Sequence, residues 1–431
     1  MNTLDAFIKA SVWYGSTDEA EALLASSPDI AESSIYTAAL LGNDIAIKHF
    51  LAQDPSLATA KGGTLGWDAL TYLCFSRFLH SLPPASFVSA AQTLIRAGAD
   101  VNTGFFDDQH TPHTEWESVL YGASGVAFHP ELTRLLLNNG ANPNDNEIPY
   151  HSPESYDNRA FQLLLDSGKM TVDSLATMLL RKCDIHDTEG IRLALHSGAD
   201  PNRLTIWGVT ALHQAILRDN QLQNILMILE HDANPGLQSQ KDGRSATVMA
   251  AQRGRADVLQ LFRDYGFDIS LQGMDELARA CALDESATGI LSAEYGGMLL
   301  GGFAGNNNAA GIGRILALDI QVDTPYVNGD GYFGIPKNST ALQIAAWRGA
   351  HDAVKMLINN GANVNTKDTN GNTPLLLAIR ACTDSYWMDC RKTDSIAALI
   401  SSGANTEGII LPTGYDDADR LLDAELNNDI R

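Results

Sequence analysis

The stretch STALQIAAWRGAHDAVKMLINNGANVN, residues 339–365, predicts the architecture of the whole chain. A short helix begins after Thr340 and is broken at Gly349, and a second helix continues to Gly361. Glycine is typical of the left-handed residue that ends many helices. Neither helix can bury its apolar side alone, so the pair requires similar pairs on either side of it.

Such pairs recur along the chain. The opening TALQ at 340–343 has counterparts in TALH at 210–213 and TPLL at 373–376. The closing sequence recurs as AGADVN (97–102), NGANPN (139–144), SGADPN (197–202), NGANVN (360–365) and SGANTE (402–407). Where no insertion intervenes, the spacing is about 33 residues, which is the period of a two-helix repeat.

These motifs resemble the ankyrin-repeat family, whose repeat is a β-turn followed by two antiparallel helices and whose signature is T-P-L-H-x-A. The inserted loops resemble those of long bacterial-type members. The resemblance implies an all-α solenoid of about twelve helix–turn–helix repeats with β-turn fingers and a C-terminal capping helix. We expect one solenoid domain over residues 1–431. Within it lie irregular repeats at 274–324 and inserted loops at 75–86, 104–116, 325–338 and 382–392.

The composition restricts the class of partner. The chain has 431 residues, a formal net charge of −23 and a pI near 4.7. A chain this acidic repels nucleic-acid phosphates and anionic lipid surfaces. We therefore expect it to bind neither nucleic acid nor membrane. A strong net charge speeds the encounter with an oppositely charged partner. The expected partner is therefore another protein, and a basic one.

Localisation follows from the cysteines and the N-terminal sequence. The five cysteines are odd in number and irregularly spaced, which argues against a disulfide framework. The first fifteen residues lack the charged start and apolar run of a secretory signal. No stretch is long and apolar enough to cross a bilayer. We expect a cytoplasmic monomer without a cofactor.

The resemblance also implies where a partner binds. In the ankyrin family, the fingers and the first helix of each repeat line a concave face on which partners usually dock. The matching first-helix positions include Tyr72, Arg181, Asp184, Gln214, Arg218, Trp347 and Arg348. Solvation does not require exposed Trp and Tyr, so the row as a whole favours a docking surface.

The finger at 104–116 carries the densest group of ionisable and aromatic residues. It is far longer than a β-turn requires, and ordering a long loop costs entropy that other interactions must offset. We expect the working surface to be centred on this finger and on neighbouring residues of the following repeats. The predicted binding residues are Asp107, His110, His113, Trp116, Glu117, Tyr121, Tyr150 and His151, with Tyr332 from the second finger.

Three alternatives remain open for these residues. His110 and His113 could bind zinc, but their spacing is loose and no third His or Cys lies nearby, so we expect no metal. The aromatic rings could simply brace long loops. The chain could also be an enzyme or a small-molecule binder, for example of carbohydrate, with its site near the fingers 104–116 and 325–338. Its catalytic residues would then be Asp107, His113, Glu117 and His151.

The leading interpretation is a binding or scaffold protein that recognises a partner protein through its concave face. One form of it is an inhibitor that covers a basic site.

Overall fold

The computed structural model describes residues 2–108, 114–385 and 390–428. Residue contacts divide the chain into two compact units. Unit 1 comprises Met1–Ala215 and Met227–Ala233, and unit 2 comprises Ile216–Leu226 and Asn234–Arg431. Both units are mostly helical, which confirms the predicted fold class. The single domain remains a prediction.

Unit 1 is built from short helices that pack in consecutive pairs. Its α-helices are Thr3–Ser11, Thr17–Ser26, Ile35–Leu40, Asp44–Gln53, Ala69–Cys74, Pro84–Arg96, Val119–Tyr121, Pro130–Asn138, Glu147–His151, Arg159–Asp166, Val172–Asp184 and Thr188–His196. Shorter 3₁₀ or π-helical turns lie at Pro28–Glu32, Pro55–Ala58, Arg77–His80, Gly122–Val126 and Ser152–Glu154. The helices Ala211–Leu217 and Leu222–Leu229 contain the boundaries of the two units.

The inserted finger of unit 1 is a β-hairpin. Strand β1, Gly104–Asp107, pairs antiparallel with strand β2, Glu115–Ser118. The register places Phe105 opposite Glu117 and Phe106 opposite Trp116. Because successive side chains of a strand point to opposite faces, Phe105 and Glu117 share one face of the hairpin and Phe106 and Trp116 share the other.

Unit 2 continues the same pairing of helices. Its α-helices are Ala246–Gln252, Ala256–Asp264, Gly273–Ala282, Ala293–Gly305, Ala309–Leu316, Ala341–Trp347, His351–Asn359, Pro374–Thr383, Asp394–Ser401 and Asp416–Asn428. The last is the expected C-terminal helix. Region 274–324 was expected to hold irregular repeats. Within it the helix Gly273–Ala282 is followed by residues 283–292, which form no helix.

The repeated motifs fix the ends of the helices. The hydroxyl of Thr340 accepts from the backbone N–H of Gln343 (3.4 Å), and the Gln343 side chain accepts from the backbone N–H of Thr340 (2.8 Å), which is a capping box. Gly361 has φ +84°, and Ala362 N–H bonds back to Leu357 C=O (3.1 Å). Leu342 and Leu357 are fully buried, as the repeat pattern predicts.

The asparagines of the closing motifs join successive fingers. In unit 1, the backbone N–H of Asn142 donates to the side-chain oxygen of Asn102 (2.8 Å). In unit 2, Asn405 N–H donates to Asn365 in the same way (2.7 Å). These bonds satisfy backbone groups that a sharp turn leaves unpaired, which explains the recurrent asparagine.

The cysteines agree with the absence of a disulfide framework. Cys74, Cys183, Cys281 and Cys382 are buried thiols, and Cys390 is an exposed one. Within residues 2–108, 114–385 and 390–428, no helix has the length and apolar character needed to cross a bilayer.

Candidate functional site

The two faces of the hairpin have different surroundings. Phe105 stacks on Trp67, with ring centroids 4.1 Å apart, and meets the edge of Phe75 at 5.0 Å. Phe106 is 66% exposed and contacts Trp116 edge to face at 4.8 Å. The inner face therefore anchors the hairpin to unit 1, whereas the outer face presents an aromatic pair to solvent.

A chain of ring contacts, here named the aromatic row, crosses unit 1. Its consecutive centroid distances run from 4.4 to 5.6 Å. The row consists of Tyr14, Trp13, Tyr121, His151, Tyr150 and Trp207. Its two ends are accessible, because Tyr14 is 52% and Trp207 is 38% exposed. Residues far apart in sequence thus form one continuous aromatic feature.

Alongside this row runs a set of polar contacts, here named the ionic ladder. It consists of Glu147, His151, Glu154, Arg181, Asp184 and Gln214. His151 bonds Glu147 through Nε2 and Glu154 through Nδ1, both at 3.1 Å. Arg181 pairs with Glu154 and Asp184, and Gln214 donates to Asp184.

The ladder also holds the aromatic row in place. Nε of Arg181 donates to the backbone C=O of Tyr150 (3.1 Å), and its guanidinium lies 4.0 Å from the centre of the Tyr150 ring. A planar cation in this position combines hydrogen bonding with a cation–π contact. Tyr150 is therefore fixed between Arg181 and Trp207.

His151 is a cation at neutral pH. Burial by itself would lower its pKa, but the hydrogen bonds and negative charges of Glu147 and Glu154 raise the pKa to about 9. An imidazolium with both nitrogens bonded cannot accept a proton from a substrate. Of the catalytic roles open to His151 in the enzyme alternative, that of a general base is therefore not favoured.

Glu117 is a buried carboxyl group at the base of the hairpin. The side chain is 0% exposed, and neither carboxyl oxygen has a hydrogen-bond partner among the residues that the structure describes. Burial, together with the charges of Glu147, Asp107 and Asp145, raises its pKa to about 8, although His151 opposes the shift. Glu117 is therefore mostly protonated and neutral at pH 7.

The neighbouring acids are held by specific donors. Asp107 is 3% exposed and accepts from the hydroxyl of Tyr14. Burial raises the pKa of Asp145 to about 6, although hydrogen bonds from Ser118 and from the backbone of Ile148 oppose the shift. Asp145 is therefore mostly ionised at pH 7, beside the neutral Glu117.

This arrangement does not favour catalysis. Glu117 and Asp107 are buried, at 0% and 3% exposure, so neither is placed to meet a substrate from solvent. His110 and His113 lie outside the described residues. Among those that are described, no group of three or more His, Cys, Asp or Glu is placed to hold a metal ion.

The second finger, in unit 2, is braced by arginines. Arg218 lies 3.9 Å from the centre of the Tyr332 ring, and Arg348 lies 3.7 Å from that of Phe333. The indole N–H of Trp347 donates to the backbone C=O of Phe333 (2.7 Å). The predicted binding residues Arg218, Tyr332, Trp347 and Arg348 thus contact this finger, and the bracing interpretation fits it.

Arg348 and Arg253 also share a buried carboxylate. Asp219 lies 2.6 Å from Arg253 and 3.2 Å from Arg348. Burial alone would raise the pKa of Asp219, but the two guanidinium groups hold it far below the ordinary value. These arginines therefore stabilise the interior of unit 2.

Tyr72 corrects one predicted position. We expected it on the docking face, but it is 0% exposed. Its hydroxyl donates to Gly62 C=O and accepts from Leu65 N–H, both at 3.0 Å, and its ring lies 5.3 Å from Trp67. Tyr121, Asp184 and Gln214 are likewise buried, at 1%, 7% and 8% exposure, so they support the surface from below.

Sequence reasoning missed several members of the site. Glu147 lies four residues before the predicted His151 and Glu154 three residues after it, a spacing that brings side chains together on a helix, and this signal was available. Trp207 lies in a finger that follows a closing motif, where a large apolar side chain is unusual. Trp13 and Tyr14 carry no such signal, because only the fold brings them to Tyr121 and Asp107.

Comparison with known protein families identifies ankyrin repeats in two segments of the chain. The family model described as "Ankyrin repeats (3 copies)" matches residues 178–275 and 306–407. These segments therefore contain ankyrin repeats, which in general are protein–protein interaction modules. It is similar to the crystal structure of the human ASB11 ankyrin repeat domain, with 18% identity and a TM-score of 0.27. That match covers 56% of this chain and 96% of the other. No curated protein sequence matches the chain. A bacterial-type origin remains a prediction.

Proposed function

We propose that the chain recognises a basic segment of another protein on the surface of unit 1 formed by the aromatic row and the ionic ladder. The observation that carries the proposal is a surplus of carboxyl groups beside a row of rings with accessible ends. The acids are Asp107, Asp145, Glu147, Glu154 and Asp184, and the cations bound among them are His151 and Arg181. Additional positive charge from a partner would offset this excess.

The accessible rings supply the apolar part of such an interface. Trp207 packs against Tyr150 at 5.5 Å, and its neighbour Ile206 is 87% exposed. Large aromatic side chains on a rigid support are frequent hot spots, since they bury much area at little cost in side-chain entropy. Tyr150 is already fixed by Arg181, so binding would not have to order it.

The proposal accounts for the buried residues without requiring chemistry. His151 and Arg181 form contacts that rigidify the surface, and Tyr121 supports His151 from below. An inhibitor is the case in which the bound basic segment belongs to the functional site of the partner. The ladder supports a scaffold and an inhibitor equally, because both require only a preformed acidic surface.

The test compares a variant of the surface with a matched control. The full chain, Trp207→Ala and Ile290→Ala are used to capture partners, and the recovered partner is then purified and titrated directly. Ile290, in unit 2, is 90% exposed and is the control for loss of an exposed apolar side chain. We expect Trp207→Ala to weaken binding by roughly tenfold or more and Ile290→Ala to leave it unchanged.

Two further outcomes decide the charge argument. Binding to a basic partner should weaken as salt rises, because the charges that attract it are screened. A purified partner that is acidic, or that binds Trp207→Ala as tightly as the original chain, would refute the proposal.

A further inference from the structure

The outer face of the hairpin carries two rings, and an exposed carboxylate follows just beyond the end of β1. Phe106 and Trp116 are directly opposite each other in the register and meet at an interplanar angle of 64°. Asp108 follows Phe106 by two residues and is exposed. The electron-rich faces of aromatic rings attract cations, and a nearby carboxylate adds to that attraction.

Anchoring of the hairpin does not explain the exposure of this pair. Phe105 already fixes the hairpin by stacking on Trp67 at 4.1 Å, and Asp107 fixes it by its bond with Tyr14. A cross-strand aromatic pair does stabilise a hairpin, but a Phe ring that is 66% exposed leaves most of its area in water. That area is available to a ligand.

We propose that Phe106, Trp116 and Asp108 form a binding site for one cationic side chain, a lysine or an arginine of the partner protein. The alkyl stem of that side chain lies along the rings, and its charged end meets Asp108. The net charge of −23 disfavours an anionic occupant and favours a cationic one. The inference rests on the proposed function, because the cation is taken to belong to the same partner.

A small probe tests the site without the partner. The full chain is labelled with 5-fluorotryptophan, and the fluorine signals of Trp67, Trp116 and Trp347 are assigned by substitution. N-acetyl-lysinamide is titrated against N-acetyl-norleucinamide, which has nearly the same apolar stem and no ammonium group. The Trp116 signal reports the site, and the Trp347 signal in unit 2 reports any general effect of ionic strength.

We expect a saturable shift of the Trp116 signal with the lysine amide and a much weaker one with the norleucine amide. Phe106→Leu and Asp108→Asn should each weaken binding of the lysine amide roughly two- to fivefold. An unchanged Trp67 signal in the Phe106→Leu variant shows that Phe105 still packs on Trp67 and holds the hairpin in place. Weakened binding in that variant would then not reflect unfolding.

Three results would overturn the inference. They are no saturable shift at Trp116, an equal response to the norleucine amide, and an equal shift at Trp347. Binding of the partner protein to the same variants is a separate test. If Trp207→Ala weakens partner binding and Phe106→Leu does not, the proposed function stands and the cation site fails. If the lysine amide binds but no basic partner exists, the proposed function fails.

Discussion

Replacement of Glu117 by Gln should stabilise unit 1, and increasingly so as pH rises. The carboxyl group has an ordinary pKa of 4.5 in the unfolded chain and a pKa of about 8 in the folded one. The folded state therefore binds the proton more tightly. This tighter binding of the proton stabilises the folded state fully below pH 4.5, and the stabilisation is lost as the pH rises through 8. Glutamine has nearly the shape of the protonated acid and cannot ionise.

The magnitude follows from the two pKa values. They differ by about 3.5, and each pKa unit is worth about 1.4 kcal/mol. Relative to the original chain, the variant should gain about 1 kcal/mol at pH 5.5, about 3 kcal/mol at pH 7 and about 5 kcal/mol at pH 9. The new amide N–H groups would point among carboxylates, which accept hydrogen bonds.

Urea denaturation at several pH values measures this difference. Ankyrin-type repeats contact mainly their neighbours and can unfold in stages, so the reporter must belong to unit 1. The fluorine signal of 5-fluorotryptophan at Trp67 is suitable, because Trp67 stacks on Phe105 of the hairpin. Asp108→Asn is the control, since it neutralises an exposed carboxylate of the same hairpin and should change stability by less than about 0.5 kcal/mol. A gain that does not vary with pH, or a variant less stable at every pH, would refute the reasoning.

Further predictions concern the core, a buried ion pair, the hairpin and the association rate. Leu342→Ala should cost roughly 2–5 kcal/mol in denaturant melts, because the side chain is fully buried; a loss under about 1 kcal/mol would contradict its place in the core. Lys182→Met should cost about 3–5 kcal/mol by leaving the buried Asp187 without its cation, and adding Asp187→Asn should restore part of the loss. Phe105→Ala should displace the Trp67 fluorine signal, whereas Phe106→Ala should leave it in place. The rate of association with a basic partner should fall as the salt concentration rises, because screening limits the range of electrostatic attraction to about 10 Å at roughly 0.1 M salt. An association rate that does not depend on salt would contradict the proposed electrostatic attraction.

The repeat pattern predicted what depends on local sequence. Gly361 and Leu342 could be placed because a helix end and an apolar position are properties of a single repeat. Tyr72 could not be placed in this way. The position was expected to face outward, but Trp67 and the backbone of the preceding finger cover it, and the matching residue Gln214 is buried as well. The repeat pattern does not specify the path of the finger, and that path decides how deeply such a residue is buried.

The inserted finger at 104–116 also shows where prediction from the sequence ends. Sequence reasoning placed Phe105, Phe106 and Trp116 in one aromatic group, and it left open whether these rings brace the loop or bind a partner. The strand register separates them, because neighbours along a strand face opposite ways. Phe105 anchors the hairpin to Trp67, whereas Phe106 contacts Trp116 on the other face and remains exposed. Length and composition could identify the finger, but only the pairing of its strands separates the anchoring ring from the exposed one.

The same alternation explains why the predicted acidic residues do not act alike. Asp107 and Glu117 belong to the inner face, where burial keeps them from direct contact with a ligand, whereas Asp108 is exposed just beyond the end of β1. Burial, together with the charges of Glu147, Asp107 and Asp145, keeps Glu117 neutral at pH 7. If Glu117 were ionised, the added charge would repel those three acids and weaken the packing of the hairpin against unit 1. Protonation of Glu117 therefore limits the repulsion among the acids on the inner face of the hairpin.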